Sequence, residues 1–134
     1  MNDKKVILIT GGASGLGEII AKRFVSKGHI VYCTSRNIKS LKVVGVNFIE
    51  LDITSDLGCQ DVISKIIEYE KRIDVIVNNA GITLSGPSLD FSVDDFKKIL
   101  DTNVVGSFRL IKALCLHTPK PELVVNITSL NGFL

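Results

Sequence analysis

The chain has 134 residues, 46% of them hydrophobic, which fits one globular domain over residues 1–134. Sixteen basic and 14 acidic residues leave a formal net charge of +2, which argues against nucleic acid or a membrane surface as the main partner. Cys33, Cys59 and Cys115 lack metal-ligand spacing, so we expect reduced core thiols. The chain has no stretch of the ~20 apolar residues that span a membrane and no typical signal peptide, so we expect a cytoplasmic protein.

Short apolar runs alternate along the chain with segments of helical periodicity. The runs predict strands over residues 6–10, 29–35, 47–51, 73–77 and 123–128. The periodic segments predict helices over residues 16–27, 37–45, 56–71 and 93–116. Ser55 and Ser92 are expected to cap the helices that they precede. This alternation predicts the α/β class: a doubly wound, Rossmann-type parallel sheet of strand order 3-2-1-4-5, with a ligand at the carboxyl ends of strands one and four.

The most informative segment is the glycine-rich turn after the first predicted strand. Gly11 permits a sharp turn, Gly15 lets the backbone approach a pyrophosphate, and Gly17 lets the next helix pack closely on the strand. The amides and the positive dipole end of that helix then face the anion. Ordinary glycine loops are the alternative to this interpretation. The residues of the turn expected to contact the ligand are Thr10, Gly11, Ser14, Gly15, Leu16 and Gly17.

Further motifs follow the glycine turn at characteristic intervals. They are Asp52, the sequence Asn-Asn-Ala-Gly at residues 78–81, Asn103 in the predicted long helix, and Ser129 after the fifth strand. With the glycine turn, they make the chain resemble the classical short-chain dehydrogenase/reductase family over essentially its whole length. Extended-type epimerases of the same superfamily are expected to have a different glycine spacing and to lack Asn-Asn-Ala-Gly. The resemblance implies an oxidoreductase that reduces a carbonyl or oxidises a secondary alcohol with a nicotinamide cofactor.

The resemblance also implies roles for residues near the cofactor. Asp52 accepts a hydrogen bond from the adenine amino group and Ile53 lies beside the ring, while a helix cap is the alternative for Asp52. Asn78 and Gly81 shape the turn after the fourth strand, and the missing side chain at Gly81 lets the cofactor's ribose approach. The residues of this turn expected to bind the cofactor are Asn79, Ala80 and Gly81. A plain structural turn is the alternative there.

Two residues are candidates for catalysis. Ser129 matches the family's serine that hydrogen-bonds the substrate oxygen. Asn103 lies among apolar residues of the predicted long helix, so we expect a buried amide with satisfied partners. In the family the matching asparagine holds a water that relays protons, and a structural core asparagine is the alternative.

The residues after the second strand bear on cofactor preference. An NAD-binding fold places an acidic residue there to accept from the ribose 2′-hydroxyl. This chain has Ser35 and Arg36 instead, and no acidic residue lies between Glu18 and Glu50. A 2′-phosphate would meet the Arg36 guanidinium and the hydroxyl of Ser35 or Ser14. We therefore predict NADP(H) over NAD(H), a solvated arginine being the alternative.

The expected proton donor is missing from these residues. The family uses a tyrosine with a lysine four residues later, beyond the serine. Tyr32 and Tyr69 are followed at that spacing by Arg36 and Ile73, and only five residues follow Ser129. We expect the amino-terminal part of a longer reductase, inactive alone and without the family's later strands and helices. The alternatives are a non-catalytic nucleotide-binding or interaction module completed by a partner chain, and catalysis by other groups.

The predicted 93–116 helix bears on assembly. It carries apolar residues outside a single stripe, among them Ile111, Leu114 and Leu116. In this it resembles the family's dimerisation helix, which makes a homo-oligomer one interpretation. Burial within a larger monomer is the other. The substrate is predicted only as a small carbonyl or alcohol.

Overall fold

Strands and helices alternate along the chain in the predicted order. The computed structural model describes residues 3–39, 41, 43–117 and 119–129. Its strands are β1 (Val6–Thr10), β2 (Ile30–Ser35), β3 (Val46–Glu50), β4 (Val75–Asn78) and β5 (Leu123–Asn126). Its α-helices are α1 (Gly15–Ser26), α2 (Asp56–Glu70), α3 (Val93–Leu100) and α4 (Gly106–Cys115). A 3₁₀ turn covers Ser88–Asp90, and a π-helical turn, Asp101–Val105, joins α3 to α4.

The strands form one parallel sheet of order β3-β2-β1-β4-β5. In register, Ile9 of β1 lies between Cys33 of β2 and Val77 of β4. The α/β class and the strand order of the Rossmann-type sheet are therefore confirmed. Because all strands run in one direction, the turns that leave their carboxyl ends gather at one edge.

The central strand β1 is apolar throughout because helices cover both faces of the sheet. Ile7 and Ile9 pack in the cluster on the α1 side, and Val6 and Leu8 in the cluster that includes α2 and α4. All four are at most 2% exposed. Burying each such side chain contributes roughly 1.5 to 3 kcal/mol, so β1 anchors the edge from which the first turn leaves.

The predicted helix over residues 37–45 is wrong. Among the described residues of this segment, the backbone forms turns instead, with the Leu41 amide donating to the Ile38 carbonyl. The Asn37 side chain accepts from the Lys39 amide at 3.1 Å, a local bond that competes with helix formation. A segment this short also cannot offset the cost of helix nucleation.

Both predicted serine caps are present. Ser55 Oγ accepts from the Gly58 amide at 3.0 Å at the start of α2. Ser92 and Asp95 form a reciprocal capping box at the start of α3. The predicted helix over residues 93–116 is interrupted by the π-helical turn, which periodicity alone did not indicate.

The cysteines differ in their surroundings. Cys33 and Cys59 are buried, and burial raises their thiol pKa values to about 12 and about 11, respectively. Cys115 is exposed near the end of α4, so the expectation that it lies in the core is wrong. It occupies the solvent side of the helix whose other side buries Leu110 and Leu114.

Apolar side chains of α3, the π-helical turn and α4 remain exposed. We define the α3–α4 face as Phe96, Leu100, Val104 and Phe108, of which Phe108 is 62% exposed. Such a row of aromatic and aliphatic side chains is typical of a surface that another polypeptide covers. No helix in the described part of the chain is long and apolar enough to cross a membrane.

Candidate functional site

A cleft of about 460 Å³ opens at the carboxyl ends of the strands, the predicted position of a ligand site. The turns after β1, β2, β3 and β4 line it, together with α3 and the π-helical turn. The predicted cofactor residues that line this cleft are Gly11, Ser14, Ser35, Arg36, Asp52, Ile53, Asn79, Ala80 and Gly81. The other predicted cofactor residues are not among its lining residues, and they are Thr10, Gly15, Leu16 and Gly17.

The turn between β1 and α1 presents the start of the helix at the cleft. Gly11 has a φ of +65°, a left-handed conformation that glycine adopts without steric cost. Ser14 lines the cleft, and its side chain makes no capping hydrogen bond within this described turn. The first-turn amides of α1 and the positive end of its dipole are therefore placed to bind an anion.

Gly17 lets α1 pack directly on the preceding turn. A Cβ atom there would lie 2.6 Å from Asn79 Nδ2 and closer still to the Gly11 carbonyl oxygen. A Cβ at Gly15, in contrast, would meet no atom within 4 Å. The two glycines thus have different roles. The absence of a side chain at Gly17 allows close packing, whereas Gly15 borders open space.

The buried Thr10 joins the turns after β1 and β4. Its Oγ1 accepts from the backbone amides of Asn79 and Ala80, both at 2.9 Å. The Asn79 side chain donates in return to the carbonyl oxygens of Thr10 and Gly11, both at 3.1 Å. These four hydrogen bonds hold the two turns together, so Thr10 and Asn79 have a structural task at the base of the cleft.

The turns after β2 and β3 form the basic end of the cleft. Half-buried Ser35 and exposed Arg36 lie beside Asp52, whose Oδ1 accepts from the Thr54 amide at 2.9 Å and from Thr54 Oγ1 at 2.7 Å. These hydrogen bonds lower the pKa of the Asp52 carboxyl, and the Arg36 charge acts in the same direction. Ser55, and not Asp52, caps α2. The helix-cap alternative for Asp52 therefore does not hold.

Asn103 lies in the π-helical turn and is exposed, so the prediction of a buried amide is wrong. The apolar residues around it in sequence belong to the exposed α3–α4 face and not to the core. Its Oδ1 accepts from the Ile82 amide and its Nδ2 donates to the Ile82 carbonyl, both at 2.8 Å. A Cβ at Gly81 would lie 3.3 Å from Asn103 Oδ1. The side chain thus fastens the turn after β4 to the helix.

Arg109 is a residue of this region that the sequence interpretation missed. Its guanidinium contacts Asp101 Oδ1 and Asp56 Oδ1, each at 2.6 Å, and also donates to the Asp101 carbonyl at 3.3 Å. The bond to the Asp101 carboxylate raises the pKa of Arg109 most. Arg109 therefore ties the first residue of the π-helical turn to the start of α2. The only signal in the sequence was an Asp and an Arg two helical turns apart.

Ser129, Tyr32 and Tyr69 are not among the described residues that line the cleft. Ser129 is exposed and follows the end of β5. The Tyr32 hydroxyl donates to Glu70 Oε1 at 2.8 Å, and burial together with Glu70 raises its pKa to about 12. Tyr69 is 82% exposed on α2. Neither tyrosine is placed to exchange a proton with a ligand in the cleft.

Several lining residues were not predicted. Most adjoin a predicted residue, and two lie one helical turn apart on α3 and the π-helical turn. The unpredicted lining residues are Ala13, Thr34, Leu51, Thr54, Ile82, Lys98, Asp101 and Thr102. Periodicity in the sequence predicts where a helix lies along the chain, but it does not predict which side of the helix faces a distant strand. Lys98 and Thr102 were missed for this reason.

A family profile identifies the family to which this chain belongs. The family profile described as "short chain dehydrogenase" matches residues 5–134. The chain belongs to the short-chain dehydrogenase family. The family and the strand order of the sheet are those that the resemblance implied.

The curated relatives that the chain matches are longer than the chain itself. The chain is 32% identical over 130 residues to a 3-ketodihydrosphingosine reductase of Bacteroides thetaiotaomicron, covering 96% of this chain and 48% of the relative. It is 34% identical over 116 residues to the NADP-dependent 3-hydroxy acid dehydrogenase YdfG of Salmonella typhi, covering 81% and 47%, respectively. The chain thus spans about half the length of these curated relatives.

Several solved structures share its fold. A short-chain dehydrogenase from Streptomyces avermitilis superposes with a TM-score of 0.89 at 31% identity, covering 98% of this chain and 52% of that one. ElxO with NADP bound gives 0.87 at 33% identity, with 98% and 58% coverage. A Leptospira borgpetersenii enzyme with bound NAD+ gives 0.75 at 25% identity, with 82% and 44% coverage. Similar folds therefore bind either nicotinamide dinucleotide.

Proposed function

We propose that residues 1–134 form one dinucleotide-binding domain of an NADP(H)-dependent oxidoreductase. The observation that carries the cofactor preference is the basic end of the cleft. Ser35 and Arg36 line it where β2 ends, at the position that an acidic residue takes in an NAD-binding fold. A guanidinium at this point attracts a 2′-phosphate, whereas a carboxylate repels it. The NADP-bound structure of similar fold supports the same choice.

The residues along the cleft fit the remaining parts of a dinucleotide. The uncapped start of α1 suits the diphosphate, and the open space beside Gly15 leaves room for it. Asp52 and Ile53 suit the adenine ring, and Gly81 suits the nicotinamide ribose. When bound, the cofactor supplies or accepts the hydride exchanged with a small carbonyl or secondary alcohol. We assign Ser129 the hydrogen bond to the substrate oxygen, and Asn103 a supporting role near the nicotinamide.

We further propose that these residues alone bind cofactor without turnover. When hydride adds to a carbonyl carbon, the carbonyl oxygen must receive a proton. Neither Tyr32 nor Tyr69 has a lysine four residues later to assist that proton transfer. The Tyr32 hydroxyl also donates a hydrogen bond to Glu70. The whole protein then acts in the cytoplasm on a substrate of the carbonyl or alcohol class, the class named by relatives that are reductases and dehydrogenases.

A module completed by another chain is the second candidate. The α3–α4 face favours it, because Val104 and Phe108 are 59% and 62% exposed on a helix of the cleft wall. A homo-oligomer formed through residues 93–116 covers this face equally well. Cofactor binding by residues 1–134 is expected for either candidate, whereas turnover by the whole protein is expected only for the first.

Cofactor titration of the purified 134-residue chain tests the proposal. We expect NADPH to bind about tenfold or more tightly than NADH, and Arg36→Gln to remove most of that difference, because a charge-assisted hydrogen bond is lost. Arg23→Gln, which removes an exposed arginine near the end of α1, is the matched control and leaves both affinities unchanged.

Two results contradict the proposal. Equal or tighter binding of NADH overturns the cofactor preference, and the absence of any complex in a folded sample overturns the binding function. Turnover of ketones by the same preparation with NADPH contradicts the claim that the proton donor is missing.

A further inference from the structure

Lys98 is a second cation at the cleft, and none of the sequence motifs assigns it a role. It lies on α3, one helical turn before Thr102, and both residues line the cleft together with Asp101. The adjacent Lys97 is not a lining residue and pairs with Asp94 at 3.8 Å. The helix thus directs Lys97 toward solvent and Lys98 toward the cleft.

Lys98 forms no salt bridge with a described residue. Its charge does act on Asp95 of the same helix, whose carboxyl pKa is lowered mainly by hydrogen bonds from Ser92 and further by Lys98. The acidic lining residues are Asp52 and Asp101. Asp101 is held by Arg109 at 2.6 Å, and Asp52 Oδ1 already accepts two hydrogen bonds from Thr54. Among the residues that the structure describes, no carboxylate lies within salt-bridge distance of Lys98. A cation left in this state at a cleft wall is placed to meet an anionic ligand.

The proposed cofactor needs more positive charge than Arg36 provides. A phosphate monoester carries about −1.5 to −2 charges at pH 7, whereas one guanidinium supplies a single positive charge. The positive charge of Arg36 also interacts with the Asp52 carboxylate, whose pKa it helps to lower. A lysine can balance the remaining negative charge of the phosphate, because its long flexible side chain carries a compact positive charge across a cleft.

We propose that Lys98 is a specificity-determining residue that recognises the ribose 2′-phosphate together with Arg36. Arg36 approaches from the turn after β2, and Lys98 from the wall formed by α3. The inference rests on the proposed function and adds to it that the preference for the phosphorylated dinucleotide is divided between two walls of the cleft.

Ligand titration of Lys98→Gln tests this assignment. The probes are NADPH, NADH, adenosine 2′,5′-bisphosphate and adenosine 5′-phosphate, at low and at high salt. We expect the variant to bind NADPH and the bisphosphate about fivefold more weakly, and NADH and the monophosphate within about twofold of wild type. The loss is expected to shrink at high salt, since screening already weakens the wild-type interaction.

Lys97→Gln is the matched control, because it removes the same charge from the same helix without touching the cleft. We expect all four of its affinities to equal those of wild type. Thermal melting of both variants checks that the fold is retained.

The outcomes separate this inference from the proposed function. If the wild-type chain prefers NADPH and Lys98→Gln keeps that preference in full, only the role of Lys98 is overturned. Equal losses for NADPH and NADH also overturn it, because they indicate a contact with the diphosphate or a change in the fold. If the folded wild-type chain binds no dinucleotide, the proposed function and this inference fail together.

Discussion

At the scale of single residues, packing at the glycine turn leaves no room for a side chain at one position. Gly17 faces the Gly11 carbonyl oxygen and Asn79 Nδ2, and both belong to the network around Thr10. Backbone oxygen atoms cannot move aside as the end of a flexible side chain can. The absence of a side chain at Gly17 is therefore a requirement of the fold, independent of any ligand.

We expect Gly17→Ala to lower the free energy of unfolding by about 2 to 3 kcal/mol, because the added methyl group overpacks the turn. Gly58→Ala is the control, since its Cβ would lie 3.1 Å from Ser55 Oγ and 3.2 Å from Leu51 Cδ1. Those atoms belong to side chains, and alanine also favours a helix, so a change within about 1 kcal/mol is expected. Urea denaturation measures both. Equal effects of the two substitutions would contradict the packing argument.

At the scale of elements, the π-helical turn sets the position of Asn103. It places the Asn103 side-chain amide against the Ile82 backbone. The two hydrogen bonds there satisfy the Ile82 amide and carbonyl, as a neighbouring strand would in a sheet. Arg109 fixes the other end of this turn through Asp101. π-helical turns within helices are frequent at functional sites, and this one borders the cleft.

We expect Asn103→Ala to expose the Ile82 amide, which then exchanges its hydrogen about tenfold or more faster because its acceptor is gone. The Ala80 amide, which donates to Thr10 Oγ1, is the internal control and keeps its protection. Residue-resolved hydrogen exchange measures both amides in one sample. An unchanged Ile82 rate shows that Asn103 does not hold the turn.

The sequence predicted most elements, and the reasons for its failures are physical. β1 and α1 were predictable because a fully apolar run and an amphipathic segment flank a glycine turn. The 37–45 segment was not, because a local bond at Asn37 overrides weak periodicity. At the site, motif residues such as Arg36 and Asp52 were found within single turns. Lys98 was missed because its approach to the cleft depends on how α3 lies over the sheet.

At the scale of the whole molecule, one side of the cleft wall is apolar and exposed. Phe96, Val104 and Phe108 are 58%, 59% and 62% exposed, and Leu100 lies between them in sequence. A row of exposed apolar side chains of this kind is typical of a surface that another polypeptide covers. The proposed homo-oligomer through residues 93–116 provides one way to cover it.

We expect Phe108→Glu to shift the chain toward a monomer in sedimentation velocity, because a charge cannot be buried in an apolar interface without a partner. Val44→Glu is the control, as Val44 is 94% exposed and lies outside the α3–α4 face. It should leave the sedimentation coefficient unchanged. A wild-type chain that stays monomeric at high concentration would exclude this mode of assembly.

The Thr10 hydroxyl has a consequence for how any long ligand binds. Because one oxygen atom accepts hydrogen bonds from the amides of both Asn79 and Ala80, the loops beyond the first and fourth strands are fastened to each other. A molecule that reaches from one loop to the other therefore meets a surface already organised along its length. The conformational entropy of ordering the two loops is lost when the protein folds, and is not lost again when the ligand binds.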